Sequence, residues 1–103
     1  MNLDPVIHAP VRLQIVSLLA AASEAEFAFV RDSLEISDSV LSKHAAALEN
    51  AGYVEIRKGY VGKRPRTWLK LSPQGRRAFD TYVADLQRIV GRPLADSPPP
   101  DGG

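Results

Sequence analysis

Basic side chains are concentrated in one part of the chain. Residues 57–79 include eight basic residues and no acidic residue, whereas the rest of the chain has five basic and twelve acidic residues. A basic block on a slightly acidic body is typical of a surface that binds nucleic-acid phosphates. The overall charge of +1 hides this asymmetry. The basic residues are Arg57, Lys58, Lys63, Arg64, Arg66, Lys70, Arg76 and Arg77.

Three of these cations lie within four positions. Lys63, Arg64 and Arg66 follow two glycines and flank Pro65, a composition that predicts a loop over residues 59–66. On a loop that extends from the protein, such cations suit DNA phosphates or the narrow minor groove. The alternative is a soluble strand edge, where lysine is used to prevent pairing with other chains.

A second group of candidate residues combines small and polar side chains at helical spacing. A helix over about residues 38–51 would carry them on one face, with His44 at the edge of that face. Small residues allow a helix to approach base edges closely, and serine and lysine can bond to bases or phosphates. A polar face that is merely solvated is the alternative. The candidates for DNA contact on this segment are Ser37, Ser39, Ser42, Lys43, His44 and Ala46.

The ends of this helix are marked by the residues beside it. Ser37 is a suitable N-cap, and Asp38 places negative charge at the positive end of the helix dipole. Gly52 lies where a left-handed residue ends a helix. The opposite, apolar stripe is expected to face the core and contains Leu41, Ala45 and Leu48.

Two shorter helices are predicted before it. Asp4 and Pro5 suit the start of a single turn, and a first full helix is expected over Pro10–Ala21. Ser23 and Glu26 match a capping box, which predicts a helix from residue 24 to about residue 34. A turn of about three residues then leads into Ser37. This spacing is that of a helix-turn-helix.

After Gly52 the apolar periodicity changes from helical to alternating. Residues 53–57 and 67–71 are expected to form two strands, with the basic loop between them. Pro65 is expected to break strand pairing. Trp68 is expected to anchor the core because it stands beside Leu69 and Leu71, whereas Tyr60 is expected to be exposed. The result would be a two-stranded wing.

A final helix is predicted from Ser72, as N-cap, to about Val90. Its apolar face is longer than a small core requires, so part of it is expected to pair with a second copy. Packing wholly within its own domain is the alternative. Residues 1–91 are expected to be one domain and residues 92–103, which are rich in proline, a flexible tail. The expected dimerisation residues are Phe79, Tyr82, Val83, Leu86, Ile89 and Val90.

Composition argues against several other classes of protein. The chain has no cysteine, so thiolate metal sites and cysteine nucleophiles are excluded. No arrangement typical of a catalytic, metal or cofactor site is found, so we expect neither an enzyme nor a cofactor. No apolar run approaches the roughly 20 residues of a membrane span, and no leader peptide is recognised. A cytoplasmic protein is expected.

Three stretches carry a resemblance to a known family. They are residues 9–15 (APVRLQI), residues 41–44 (LSKH) with residues 48–54 (LENAGYV), and residues 69–76 (LKLSPQGR). Over residues 3–90 the chain resembles the winged helix-turn-helix transcriptional regulators, in particular the compact ArsR/MarR-like group. The resemblance implies a mainly α fold with a small β-hairpin wing, classed as α+β. It also implies a three-helical core and a C-terminal dimerisation helix.

The resemblance further implies a homodimer that binds a pseudo-palindromic operator in double-stranded DNA, more often as a repressor. The helix over residues 38–51 would enter the major groove, and the wing over residues 59–66 would reach the minor groove or backbone. With no cysteine and only His8 and His44, metal sensing is not expected. A small-molecule effector is left open. The alternative function is a winged-helix module that binds protein without DNA, although such a module has no need for a basic wing.

Overall fold

Four helices and a three-stranded antiparallel sheet make up residues 3–91, the part of the chain that this computed structural model describes. The sheet has the strand order β1-β3-β2. This arrangement confirms the predicted α+β winged-helix fold. The predicted flexible tail, residues 92–103, lies outside the described residues. The elements are α1 (Pro10–Ala21), β1 (Ala25–Glu26), α2 (Phe27–Leu34), α3 (Asp38–Asn50), β2 (Val54–Val61), β3 (Arg64–Leu71) and α4 (Pro73–Ile89).

The core lies where α1, α2 and α3 meet the inward side of the sheet. Each fully buried aliphatic side chain there contributes about 1.5–3 kcal/mol relative to exposure. The predicted apolar stripe of α3 is buried. In α1, Ile15, Val16 and Leu19 are buried, while Val11 and Leu18 lie at the margin of the core. The buried set includes Ile15, Leu19, Val30, Leu41, Ala45, Leu48, Val54, Leu69 and Leu71.

Both ends of α3 are capped as the sequence predicts. The Ser37 hydroxyl oxygen accepts a hydrogen bond from the Val40 amide at 3.1 Å. At the other end Gly52 has φ of +82°, and the Tyr53 amide donates to the Leu48 carbonyl at 2.9 Å. This is the bond pattern of a Schellman cap, which satisfies a carbonyl that the helix leaves free. The position of α3 is therefore determined by neighbouring residues.

The predicted capping box at Ser23 is wrong. Ala25 and Glu26 instead form β1, which pairs antiparallel with Leu69 and Trp68 of β3. Helix α2 begins only at Phe27, and Glu26 precedes it without a side-chain cap. The segment adopts this structure because the edge of β3 offers free backbone partners, and buried backbone groups must be paired. Local capping signals do not reveal that edge.

The predicted long loop of the hairpin is also wrong. Strands β2 and β3 run to Val61 and from Arg64, so the turn contains only Gly62 and Lys63. Gly62 has φ of +63°, which suits a tight hairpin turn. Pro65 lies opposite Tyr60 within the ladder. The residues that close a two-residue turn form the hydrogen-bonded pair, so the next pair, which includes Pro65, needs no amide donor toward β2.

A cluster of short contacts fixes the junction between β3 and α4. The Ser72 amide donates to the Tyr53 carbonyl at 2.9 Å, and the Ser72 hydroxyl donates to the Gly52 carbonyl at 2.6 Å. The same hydroxyl oxygen accepts from the Gly75 amide at 2.9 Å, which confirms Ser72 as the N-cap. A Cβ atom at Gly75 would overlap the Tyr53 carbonyl. Within residues 69–76, Ser72 and Gly75 are thus explained by close backbone packing.

The N-terminal segment is tied to the body by side-chain hydrogen bonds. Tyr53 donates from its hydroxyl to Asp4 at 2.5 Å, and this bond together with burial raises the pKa of Tyr53 to about 12. Asp4 also accepts from the Val6 amide at 2.8 Å. The Nδ1 atom of His8 lies 2.9 Å from the Tyr82 hydroxyl, which links the segment to α4. The segment is therefore part of the folded domain.

Candidate nucleic-acid interface

The exposed face of α3 carries the side chains that the sequence predicts for base contact. Ser39, Ser42, Lys43 and Ala46 are all exposed, on the side of the helix opposite its buried stripe. Ser37 is exposed as well, and its hydroxyl lies 3.2 Å from that of Ser39. Of these five side chains only Lys43 is long, so a flat surface such as base edges can approach this part of the face closely.

Arg31 joins the start of α3 to α2. Its Nη1 donates to Asp38 at 2.8 Å and its Nε donates to Asp32 at 2.9 Å. The hydrogen bond from Arg31 holds the pKa of Asp32 below its usual range, and the same guanidinium charge lies beside Asp38. Asp38 is thereby partly neutralised at the end of the helix where an approaching phosphate would otherwise be repelled.

His44 lies behind the exposed face rather than on it. The Arg12 guanidinium lies 3.3 Å from His44 Nδ1, and Arg12 also donates from Nε to the Val6 carbonyl at 2.5 Å. Burial, then the charges of Arg12 and Lys43, lower the pKa of His44. His44 is therefore neutral at neutral pH and joins α3 to α1. This role of Arg12 is not indicated by the residues beside it in the sequence.

The register of the hairpin divides its side chains between two faces, because successive residues of a strand point to opposite sides. We call the side that continues the buried core the inner face and the opposite side the outer face. The inner face contains the pairs Val54–Leu71, Ile56–Leu69, Lys58–Thr67 and Tyr60–Pro65. The outer face contains the pairs Glu55–Lys70, Arg57–Trp68, Gly59–Arg66 and Val61–Arg64.

Trp68 belongs to the outer face, so its predicted position in the core is wrong. Since Leu69 and Leu71 are buried, the strand period places Trp68 on the opposite side. Its half-buried ring is covered by the Arg57 guanidinium, 4.1 Å from the ring centroid, in a cation–π contact. A Cβ atom at Gly59 would lie 3.2 Å from the same ring, so the glycine leaves room for it.

Two cations of the basic block pair with carboxylates of the β1 segment. Arg57 donates to Glu24 at 3.0 and 3.2 Å, and this contact holds the pKa of Glu24 below its usual range. Arg66 Nε lies 3.1 Å from Glu26. Arg66, a predicted DNA ligand, therefore already has an acidic partner. Two of the four cations of the outer face are therefore paired, and its free positive charge is smaller than the sequence suggests.

A groove of about 430 Å³ separates α3 from the inner face of the hairpin. Its apolar lining comes from Phe27, Ala45, Ile56 and Leu69, and its polar lining from Asp38, Ser42, Lys58 and Thr67. Because Ser42 belongs to the exposed face of α3, that face and the hairpin open on a common depression. Lys58 was not among the predicted site residues, although its position two residues after Ile56 was a usable signal.

The tip of the hairpin is highly exposed. Lys63 occupies the turn and Arg64 begins β3, and both side chains are in solvent. Tyr60 is 72% exposed, as the sequence predicts, and Val61 is 58% exposed. Cations and apolar side chains therefore lie together at the tip.

The apolar face of α4 is only partly covered by its own chain. Ile89 and Val90 are 55% and 51% exposed, whereas Val83 and Leu86 are half-buried. Phe79 packs against the core cluster. Tyr82 is only 3% exposed, with its hydroxyl at His8. Tyr82 thus has almost no surface left for the predicted contact with a second copy, because the N-terminal segment already covers it.

Two further features concern the described residues as a whole. Within residues 3–91 no group of three or more histidine, cysteine or acidic side chains could hold a metal ion. No helix in that range combines the length and apolar character needed to cross a membrane.

An open cavity of about 570 Å³ lies between the N-terminal segment and α4, where Asp4, Arg77 and Asp85 give it mixed charge.

Fold and surface together define a winged-helix domain of the kind found in DNA-binding transcriptional regulators. Residues 11–90 match the family of winged helix DNA-binding domains, and the chain belongs to that family. It is 30% identical over 84 residues to an uncharacterised protein of Methanocaldococcus jannaschii, and the match covers 82% of this chain and 91% of the relative.

Several solved structures share the fold. The chain is similar to a transcriptional regulator homologue from Pyrococcus horikoshii OT3, with 26% identity and a TM-score of 0.78 over 82% of this chain and 84% of the other. HlyU from Vibrio cholerae N16961 matches with 26% identity and a TM-score of 0.60, over 82% and 83%. The fold is also that of a homodimeric winged helix-turn-helix domain from Mycobacterium bovis, at 23% identity and a TM-score of 0.66, over 82% and 75%.

Proposed function

We propose that this DNA-binding regulator acts as a cytoplasmic homodimer that represses transcription from a pseudo-palindromic operator. The observation that carries the proposal is the shared groove: the small, polar face of α3 and the basic hairpin open on one depression, lined by Ser42 and Lys58. A helix that enters the major groove and a wing that reaches beside it need this arrangement.

In this proposal α3 enters the major groove. Ser39, Ser42 and Lys43 reach base edges or nearby phosphates, and Ala46 permits the close approach. Ser37 lies at the helix N-terminus, where backbone amides and dipole favour a phosphate. His44, which is neutral and half-buried, orients the helix from behind and reaches the backbone only at the edge of the contact.

The tip of the hairpin supplies the second contact. Lys63 and Arg64 are exposed and reach the flanking minor groove or the sugar–phosphate backbone. Arg66 joins them only where a phosphate displaces Glu26 from its guanidinium. Because that exchange replaces one anion by another, we expect Arg66 to contribute less than Arg64.

A second copy would pair along α4. The exposed side chains of Ile89 and Val90, continued by Val83 and Leu86, form an apolar strip that a partner can cover. Phe79 supports the strip from the core side. The homodimeric Mycobacterium bovis domain supports this proposal through its fold. A two-fold symmetric dimer presents two α3 helices to two half-sites, which is why the operator would be pseudo-palindromic.

The proposal is tested by titrating labelled duplex DNA at about 50 and 200 mM salt, with the molecular mass measured by light scattering. We expect a dimer whose logarithmic affinity falls with logarithmic salt by about 0.9 for each phosphate neutralised. A monomer with no affinity at low salt would contradict the proposal and favour a module that binds protein.

Base reading is tested separately once a preferred duplex has been selected. Lys43→Ala is expected to weaken binding to that duplex by about 1–3 kcal/mol and to weaken random duplex less. Arg64→Ala is expected to weaken both duplexes equally. An equal loss on both duplexes for Lys43→Ala would make Lys43 a phosphate contact instead.

A further inference from the structure

We propose that the inner face of the hairpin, rather than its more cationic outer face, holds the DNA sugar–phosphate strand, with Lys58 as the phosphate ligand and Tyr60 against the sugar. This inference rests on the proposed function and assigns roles to two residues that the sequence did not place in the site. It also states which side of the wing faces DNA.

The groove between α3 and the hairpin is where a backbone strand must pass. A helix in the major groove and a wing tip in the adjacent minor groove lie on either side of one sugar–phosphate strand. The residues between the two elements therefore meet that strand. Along this groove Ser42, Lys58 and Thr67 supply donors, and Asp38, its single acidic lining residue, is engaged by Arg31 at 2.8 Å.

Lys58 is the cation of the inner face. It follows Ile56 by two positions and lies opposite Thr67, so its side chain is on the same side as the groove. Of the ion pairs formed among residues 3–91, none involves Lys58. An exposed ammonium without an acidic partner is available to a phosphate at no cost of breaking an existing contact.

Tyr60 continues the same face toward the tip. It is 72% exposed, and its cross-strand partner is Pro65, so two apolar surfaces lie side by side beyond Lys58. Apolar side chains beside cations are typical of contacts with sugars and with the floor of the minor groove. Val61, the neighbouring exposed apolar residue, points to the other face.

The outer face has a different chemical character. Glu24 and Glu26 pair with Arg57 and Arg66, and the Arg57 guanidinium is stacked on Trp68. The carboxylates of Glu24 and Glu26 would repel a phosphate strand that approached from that side. The guanidinium groups of Arg57 and Arg66 are already bound to those carboxylates. These contacts tie the hairpin to β1 and so fix the angle of the wing. Apart from Arg64 at the tip, the outer face therefore positions the wing instead of binding DNA.

Two matched lysine variants test the assignment. Lys58→Ala and Lys70→Ala each remove one exposed cation from the hairpin, but on opposite faces. Lys58→Ala is expected to reduce the salt slope of DNA binding by about 0.9 and to weaken specific and random duplexes alike. Lys70→Ala is expected to change neither. Equal losses for both variants, or a loss for Lys70→Ala alone, would overturn the assignment.

A second pair tests the aromatic contact. Tyr60→Ala is expected to lower DNA affinity by about fivefold or more, whereas Val61→Ala changes it by less than about twofold. Unchanged thermal unfolding of each variant shows that the hairpin is intact. Equal effects within the pair would overturn the role of Tyr60.

The test separates this inference from the proposed function. If wild-type protein binds DNA and Lys58→Ala binds as tightly with the same salt slope, only the inner-face assignment fails. If wild-type protein shows no affinity for duplex at low salt, both the assignment and the proposed function fail.

Discussion

Helix α3 and the β2–β3 hairpin form the two halves of the interface, and different kinds of contact hold them in place. The two ends of helix α3 are set by residues next to it in the chain: the Ser37 cap at one end and Gly52 at the other. The hairpin is fixed by residues far away in the chain, since Arg57 and Arg66 pair with Glu24 and Glu26. The first half depends on local signals and the second on tertiary contacts.

The difference matters for function because it determines how each half presents its side chains to DNA. A helix capped at both ends presents a defined set of side chains, which suits reading of base edges. A hairpin with two faces needs further contacts to decide which face meets the DNA. The ion pairs of the outer face fix the orientation of the hairpin, and Lys58 then lies on the side of the groove.

The largest expected effect is at Gly75, in the junction between β3 and α4, compared with Gly62 at the tip of the hairpin. Gly75→Ala is expected to lower the free energy of unfolding by at least about 3 kcal/mol, because its Cβ would overlap the Tyr53 carbonyl. Gly62→Ala meets no neighbouring atom and only strains φ of +63°, so about 1 kcal/mol is expected. Urea denaturation of both variants checks this order. A Gly62→Ala loss equal to that of Gly75→Ala would contradict it.

The cap of α3 gives the next effect. Ser37→Ala is expected to lower the free energy of unfolding by about 1 kcal/mol because the Val40 amide loses its acceptor. Ser39→Ala is the matched control, since its hydroxyl contacts only that of Ser37 and a change within about 0.5 kcal/mol is expected. Thermal unfolding measures both. If the two losses were equal, local capping would not determine the start of α3.

A smaller effect concerns pH at the contact between α3 and α1. The pKa of His44 is lowered in the folded protein, so the unfolded chain takes up a proton more readily. The contribution of neutral His44 to stability is present above its unfolded pKa of about 6.5 and is lost as pH falls through the folded pKa. The difference in unfolding free energy between wild type and His44→Gln is expected to shrink between pH 7 and pH 5. A constant difference would contradict the proposed role of its neutral form.

The smallest effect is expected at the outer face. Glu26→Gln removes one exposed ion pair with Arg66, which should cost less than about 1 kcal/mol and less still at high salt. DNA affinity is expected to change by less than about twofold, because Arg66 lies on the outer face and contributes little to DNA binding. A gain of tenfold in affinity would mean that Glu26 withholds Arg66 from DNA, and it would assign the outer face to the interface.

The same difference between local and long-range contacts explains which features of the fold could be predicted from the sequence. The ends of α3 and the start of α4 were predicted because Ser37, Gly52 and Ser72 act on backbone groups within a few residues. The family resemblance, carried largely by these stretches, is confirmed by the match over residues 11–90. Local physical chemistry was sufficient for this part of the fold.

The remaining features depend on strand pairing. Ser23 and Glu26 fit a capping box, but pairing with β3 makes the segment a strand. The face of Trp68 follows from a register that becomes visible only when Leu69 and Leu71 are known to be buried. Individual DNA contacts of α3 and of Lys63 and Arg64 stay predictions.

The most direct test of the central claim is the change in backbone amide NMR shifts when duplex DNA is added to the isotope-labelled protein. We expect the largest changes over residues 37–46 of the α3 segment and at Lys58, Tyr60 and Lys63 of the hairpin. Small changes are expected at Glu24 and Glu26. Changes confined to α4 and the N-terminal segment, with none on α3, would contradict the account.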